Sequence, residues 1–266
     1  RRAVAIRWGC SVRGFYPKIF AFLPFAGGGA LHVGALLKEV GIRHAIVPRY
    51  PGVTSAMGCV IADMRQDFVQ TVNALTSALD PVALATVMEQ HVEQGMSLLE
   101  ASRSRFERCH VSVTLDMAYV GQTHTVAVPL DGAISGGRVA EPTVADINAA
   151  FDAAYRAAYG RLLPGGTRRL MNLRTAVVGL RPKFDLTTLA PKGGSVEAAF
   201  RGTRRVHFSD GWQDTALYDR LGLPVGAELR GPAILSQPDT TVLIAPGFSG
   251  RVDRFGNTVI EPIGAS

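Results

Sequence analysis

The chain has 266 residues, 47% of them hydrophobic, and a formal charge of +6, enough apolar material for one large domain or two smaller ones. Its basic residues are scattered, with the densest cluster at Arg103, Arg105 and Arg108 mixed among Glu100 and Glu107; no basic stripe interleaves with aromatics, so no nucleic-acid partner is expected. Three isolated cysteines, Cys10, Cys59 and Cys109, give neither a disulfide framework nor a CxxC metal knuckle and fit a cytoplasmic setting, and no apolar run reaches the roughly 18–20 residues of a membrane span.

The opening RRAVAIRWGCSVRGF has no sustained apolar core, so it does not read as a secretory leader. It also lacks an initiator Met and begins in mid-pattern, as though the chain enters during a helix, an opening that either a fragment or a processed chain would give. Residues 18–50 then read strand, glycine loop, helix, strand. The apolar run 19–25 (IFAFLPF) predicts a strand buried on both faces. Residues 31–40 predict a helix with Leu31, Ala35, Leu36 and Val40 on one face and Gly41 as its stop. Residues 43–48 (RHAIVP) supply a second short strand. Strand, helix, strand within about 30 residues is a βαβ unit with a parallel pair. After a turn at Pro51-Gly52, Thr54 or Ser55 caps a helix of small residues expected to pack closely, and Phe68, Val69 and Val72 lead out through a strand.

Asp80 and Pro81 are an N-cap and first-position proline for a long helix ending near Arg105, with Val87, Met88, Val92, Leu98 and Leu99 as its apolar stripe. From Cys109 the period changes to two, predicting two strands (VSVTLDMAYVG and THTVAVPL) joined near Gly121. A Gly/Ser loop (Gly132 to Gly137) precedes a helix over 144–159 ended by Gly160, and 170–181 reads as a strand. Residues 183–203 look like a loop. The remainder alternates strands (RRVHF, GPAIL, TTVLIAPG, GRVDRFGNTVIE) with turns at Pro238-Asp239, Pro246-Gly247 and Gly256-Asn257. A boundary near residue 75 separates an α/β piece, 1–75, from an α+β, mostly antiparallel region, 76–266.

The glycine run Gly27, Gly28, Gly29 lies between the predicted strand and helix, where backbone N–H groups can approach an anion and the helix dipole favours negative charge. It is not a Walker loop, since no Gly-Lys-Ser/Thr follows, and it misses the GxGxxG spacing. From spacing alone, a tight packed turn and a nucleotide contact are equal readings. His32 falls in the first helical turn, where a partly buried, hydrogen-bonding imidazole is the plain expectation. Asp63 and Asp67 lie four apart; on a helix they would share a face able to bind a cation, against a solvated ion-pair patch as the commoner outcome. The other histidines, His44, His91, His110, His124 and His207, show no metal-ligand spacing, so no metal residues are assigned. There is no GxSxG motif and no cysteine–histidine pairing to support a covalent nucleophile.

Several stretches together are more informative. FAGGGALHVGALLKEVGIRHAIVPRYPGVTSAMGCVIADMRQDFVQT (25–71), DMAYVGQTHTVAVPL (116–130), YRAAYG (155–160) and GPAILSQPDTTVLIAPGFSGRVDRFGNTVIE (231–261) closely resemble, in the same order, the hydantoinase A/5-oxoprolinase family, whose relatives include the acetone carboxylase β subunit. The family's loop reads F-G-G-A-G-P-L-H-A; Ala26, Gly28 and Ala30 stand here where it has Gly, Ala and Pro, and an exchange of small residues is expected to keep the loop's shape. The resemblance implies, for 1–75, the last part of an actin/sugar-kinase/Hsp70-like ATPase domain and, for 76–266, the family's C-terminal α+β domain. It implies ATP and Mg2+ as cofactors, with Gly27, Gly28, Gly29 and Ala30 as the second-half nucleotide loop and His32 following it. It implies phosphorylation of an amide carbonyl ahead of hydrolysis of a cyclic amide; carboxylation of a ketone, or a non-catalytic scaffold role, are the alternatives. The first phosphate loop of such ATPases, Asp-x-Gly-Gly-Thr, does not occur in these residues. The implied partners are therefore an N-terminal half or separate chain carrying that loop, and a hydantoinase B-type subunit. Tyr119 to His124 (YVGQTH) reads equally as a substrate or partner contact and as a hairpin in which Gly121 turns and Gln122 satisfies buried backbone. Asp239, Thr240 and Thr241 read as turn and strand.

Overall fold

The computed structural model describes residues 2–130, 134–135 and 138–264. Two compact units form, one from residues 1–60 with 184–266 and one from residues 61–183.

The chain opens in α1 (Arg2–Ser11) and, after the glycine loop, continues through a 3-10 turn at Gly29–His32, α2 (Val33–Val40), β1 (Ala45–Val47) and α3 (Thr54–Ile61). In α2 the buried residues are Val33, Gly34, Leu36, Leu37 and Val40. The inward face is thus turned relative to the predicted one, and Leu31 and Ala35 are exposed. Gly41 stops the helix in the left-handed region at φ 82°, its N–H bonding the Leu37 carbonyl at 2.9 Å. The run 19–25 is not a doubly buried strand. It makes one parallel bridge, Phe22 to Ala45, through Phe22 N–H to His44 O at 3.0 Å and Ile46 N–H to Phe22 O at 2.8 Å. Ile19, Leu23 and Phe25 are exposed, and Pro24 has no N–H with which to extend the ladder. The parallel βαβ pairing is present all the same. No residue of α3 is buried, contrary to the close-packed helix expected, and the Thr54 hydroxyl donates back to the Tyr50 carbonyl at 2.9 Å.

The second unit is an antiparallel sheet under two helices. It contains β2 (Met64–Leu75), α4 (Pro81–Ala101), β3 (Arg108–Tyr119), β4 (Val126–Pro129), the short pair β5 (Ile134–Ser135) and β6 (Arg138–Val139), α5 (Val144–Tyr159) and β7 (Arg168–Leu180). The strands run in the order β2-β7-β3-β4. Asp80 caps α4 as predicted, accepting from Val82 N at 3.0 Å and Ala83 N at 3.2 Å. A capping box between Thr143 and Asp146 starts α5, and Gly160 ends it at φ 75°. Alternation along β3 turns Val113, Leu115, Met117 and Tyr119 into one core with Leu84 and Met88 of α4 and Ile147, Phe151 and Tyr155 of α5. Each such side chain contributes about 1.5–3 kcal/mol on burial. The Gly132–Gly137 loop lies largely outside the described residues.

The last segment contains α6 (Val196–Ala199), β8 (Phe200–Phe208), β9 (Gly211–Asp219), β10 (Glu228–Arg230), β11 (Ala233–Gln237), β12 (Thr240–Ile244), β13 (Phe248–Val252) and β14 (Thr258–Pro262). Two sheets result, β1-β14-β13-β10 and β12-β11-β9-β8, enclosing a core of Val33, Leu37, Val47, Leu235, Val242, Ile244 and Ile260. Strands β9 and β10 were not anticipated from sequence. Nor do the compact units follow the division at residue 75. The physical reason is strand pairing: β2, from the first stretch, pairs along its length with β7, whereas β14, near the end of the chain, pairs with β1.

Candidate functional site: a clasped glycine loop

Residues 26–30 leave the extended stretch after Phe22 and enter the helical run that begins at Gly29. Ala26 is held in the left-handed region, φ 65°, with its N–H donating to the Pro51 carbonyl at 2.7 Å. The Thr240 hydroxyl, at the start of β12, donates to the Gly27 carbonyl at 2.8 Å. A Cβ on Gly27 would lie 3.3 Å from the Asp239 carbonyl oxygen, so the loop and the 237–241 turn are in close contact. The Asp239 carboxylate accepts from Gly52 N–H at 2.8 Å and from the Gln237 side-chain amide. Burial works to raise the Asp239 carboxyl, but the Gln237 and Gly52 bonds outweigh it and hold it below the ordinary carboxylate value. Loop, 50–53 turn and 237–241 turn therefore form one clasp.

Beneath the clasp lies Arg220, only 3% exposed. Its guanidinium donates to the carbonyls of Val47 (2.9 Å), Pro48 (2.6 Å) and Arg49 (3.0 Å), to Thr258 Oγ1 (3.1 Å) and to Gln237 Oε1. Desolvation, and secondarily the nearby Arg49 charge, pulls it down to about 10, with Asp239 opposing; it is cationic at neutral pH. Its planar fork suits this many acceptors at once. No local motif announces Arg220, because its acceptors lie at residues 47–49, 237 and 258.

The upper side of the loop is open. A Cβ on Gly28 would meet nothing within 4 Å, and its backbone is ordinary, φ −100°. Among the described residues no acceptor is bonded to the N–H groups of Gly27 and Gly28. Two unspent donors at the head of a helical run, beside a position where no side chain intrudes, are the features an anionic ligand needs. A Cβ on Gly29 would lie 3.5 Å from the Pro24 backbone, and Ala30 is buried in the core. His32, the last residue of the 3-10 turn, is exposed. Of the five site residues named from sequence, Gly27, Gly28 and His32 are exposed, while Gly29 and Ala30 support the turn from inside.

The remaining candidates resolve differently. Asp63 and Asp67 flank and occupy a strand, not a helix. Asp67 pairs with Arg65 at 2.7 Å, and Asp63 accepts from Arg181 N–H at 2.9 Å and lies 3.4 Å from Lys183 Nζ. Among the described residues no group of three or more His, Cys, Asp or Glu side chains is placed to hold a metal, and no helix is long and apolar enough to cross a membrane.

A family profile described as the hydantoinase/oxoprolinase C-terminal domain matches residues 81–258, more than half of the chain, and a hydantoinase/oxoprolinase profile matches residues 3–68. The chain belongs to the hydantoinase/oxoprolinase family. It is 26% identical to the caprolactamase subunit alpha of Pseudomonas jessenii over 94% of this chain and 36% of that protein. It is 26% identical to 5-oxoprolinase 1 of Arabidopsis thaliana over 96% of this chain and 20% of that one. The nucleotide-free structure of acetone carboxylase, an enzyme of ATP-dependent acetone carboxylation, superposes with a TM-score of 0.78 at 20% identity, covering 98% of this chain and 38% of that one. The fold is therefore shared with that ATP-dependent enzyme, a mixed α/β architecture with antiparallel sheets. The chain spans 36% and 20% of the length of these two curated relatives.

Proposed function

We propose that this chain is the C-terminal part of an ATP-dependent cyclic amide hydrolase of the hydantoinase/oxoprolinase type, in which residues 26–30 form one wall of the nucleotide site. The observation that carries this reading is the open, donor-bearing face at Gly27 and Gly28. ATP, bound with its magnesium ion, supplies the phosphoryl group that activates a carbonyl oxygen. The chain's own contribution is electrostatic and geometric. The Gly27 and Gly28 amides donate to anionic oxygen, Gly28 admits it closely, and Thr240 and Asp239 hold the loop so that the donors need no rearrangement. His32 stands at the site's edge as a hydrogen-bonding group. A further segment or partner chain supplies the first phosphate loop and the metal ligands, and a B-type subunit completes the enzyme. The three free cysteines suit a cytoplasmic protein.

The test is calorimetric titration of ATP with Mg2+ into this chain alone and after addition of the complementary segment, together with Gly28→Val. Binding in the assembled protein is expected to fall by about tenfold or more in Gly28→Val, because the added branch occupies the donor face. Its melting temperature is expected to stay unchanged, since nothing lies within 4 Å of that Cβ. Unchanged ATP affinity would remove the loop from the nucleotide site. Nucleotide turnover stimulated by a lactam or hydantoin supports the hydrolase reading; turnover stimulated only by a ketone with bicarbonate replaces it with carboxylation.

A further inference from the structure

Two stretches without a part in the nucleotide site, 119–124 (YVGQTH) and 155–160 (YRAAYG), meet within residues 61–183. Gly121 turns the chain at φ 92°, and Gln122 Oε1 accepts the Tyr119 N–H at 3.4 Å, the structural role considered for it above. That bond also fixes which way the amide faces. Its Nε2 therefore donates to the Tyr155 hydroxyl, at 2.7 Å. Tyr155 is 7% exposed and its oxygen is the acceptor in this pair, so its own O–H remains to be given; among the described residues it has no acceptor. The ring is locked between Tyr119 (centroids 4.9 Å) and Tyr159 (4.6 Å).

A cleft of ≈ 620 Å³ opens here, lined by Gln122, Tyr155, Tyr159, Arg161 and the 162–164 stretch. Just beyond the 162–164 stretch, a Cβ on Gly166 would lie 2.5 Å from the Tyr119 ring, so only glycine lets the chain rest on that ring. Arg161 is exposed, and no carboxylate or hydrogen-bond acceptor is bonded to it among the described residues. The side-chain groups left to a ligand are the Tyr155 O–H, the second Gln122 amide hydrogen and the Arg161 guanidinium, all donors, with the exposed Tyr159 hydroxyl able to donate or accept. Leu162, Leu163, Pro164 and the Tyr159 face offer apolar contact.

We propose that this cleft binds a small aliphatic carboxylate, its carboxylate meeting Tyr155 and Arg161 and its chain lying along Tyr159 and Leu163. A guanidinium beside two neutral donors favours an anion, its planar geometry suits a carboxylate, and the apolar wall disfavours a fully hydrated ion. The site belongs to residues 61–183 alone and does not depend on the nucleotide reading.

The experiment is a titration of the isotopically labelled full chain with hexanoate, hexanamide and hexylammonium, followed by nuclear magnetic resonance at the Gln122 side-chain amide and Arg161 Nε. Hexanoate should shift both signals saturably, hexanamide should bind about tenfold more weakly or less, and hexylammonium should leave them in place. Arg161→Gln, a surface change that leaves the fold intact, and Tyr155→Phe, which keeps the ring, should each weaken hexanoate by about tenfold, the worth of one charge-assisted hydrogen bond. Equal affinity for hexanoate and hexanamide, or hexanoate affinity unchanged in Arg161→Gln, would overturn the assignment. So would no saturable shift, or a peptide C-terminus binding at least tenfold more tightly than hexanoate, which would make the cleft a dock for a protein tail.

Discussion

Replacing Arg220 with methionine tests whether the clasp beneath the glycine loop is a structural requirement of residues 1–60 and 184–266. Methionine fills much of the same volume and removes the cost of burying a cation. It also strips donors from three main-chain carbonyls, those of Val47, Pro48 and Arg49, and from Gln237 and Thr258. Each buried acceptor left without a partner costs about 1–3 kcal/mol. The relief of desolvation offsets part of that, and removing one side of a buried charged network leaves a net loss of about 3–5 kcal/mol. With a urea slope of about 1–3 kcal/mol per molar, the unfolding midpoint should fall by roughly 2 M. Trp8 and Trp212, although both in this unit, are exposed in the fold and report little on its unfolding. The urea titration is therefore followed by hydrogen exchange at the amides of β11, β12 and β14, which belong to this unit and not to residues 61–183. Arg220→Lys should recover only a fraction, since an ammonium has three donors and no planar fork. A midpoint shift below about 0.5 M for Arg220→Met would refute the argument.

Ala26→Gly should stabilise the same unit by about 1 kcal/mol, because it releases a left-handed alanine; differential scanning calorimetry should show a rise of about 2–4 °C. Gly95→Ala should destabilise residues 61–183 by about 1–3 kcal/mol despite the better helix propensity of alanine, since its Cβ would lie 2.5 Å from Val177 Cγ2; hydrogen exchange along α4 is the readout. His91 stacks on Phe68 at 5.2 Å, its Nδ1 lies 3.2 Å from Thr175 Oγ1, and burial lowers its proton affinity. A histidine with a depressed folded value contributes stability that is complete above about pH 6.5 and is lost on acidification below it. Denaturation of wild type between pH 7 and 5 should show that loss, and His91→Gln should flatten it.

What was legible in the sequence was local. Asp80-Pro81 and Gly160 carry their own capping chemistry, so α4 and α5 were placed closely, as was β7 by its period. The run 19–25 misled because an apolar stretch reads as a buried strand only if neighbours exist on both faces, and here Phe22 finds one edge partner. The four-residue spacing of Asp63 and Asp67 suggested a helix face, yet the strand expected from Phe68 onward already begins at Met64 and includes Asp67, which pairs with Ala176 of β7, more than 100 residues away. Ala26 looked like a neutral exchange for glycine, and only its positive φ shows that the substitution carries strain. Tyr155 and Gln122 could not be joined from sequence, since their contact depends on α5 crossing the end of β3.

Met64 pairs with Gly179, and Asp63 meets the backbone of Arg181, so the strands that enter and leave residues 61–183 run side by side, about 5 Å apart. A segment whose two ends emerge together is, topologically, a guest in another domain. It can be lengthened, exchanged for a homologous segment or cut out and bridged by a few residues without asking the host sheet β1-β14-β13-β10 to change its connectivity. The carboxylate cleft and the glycine loop are, in that sense, free to evolve on separate schedules within one polypeptide.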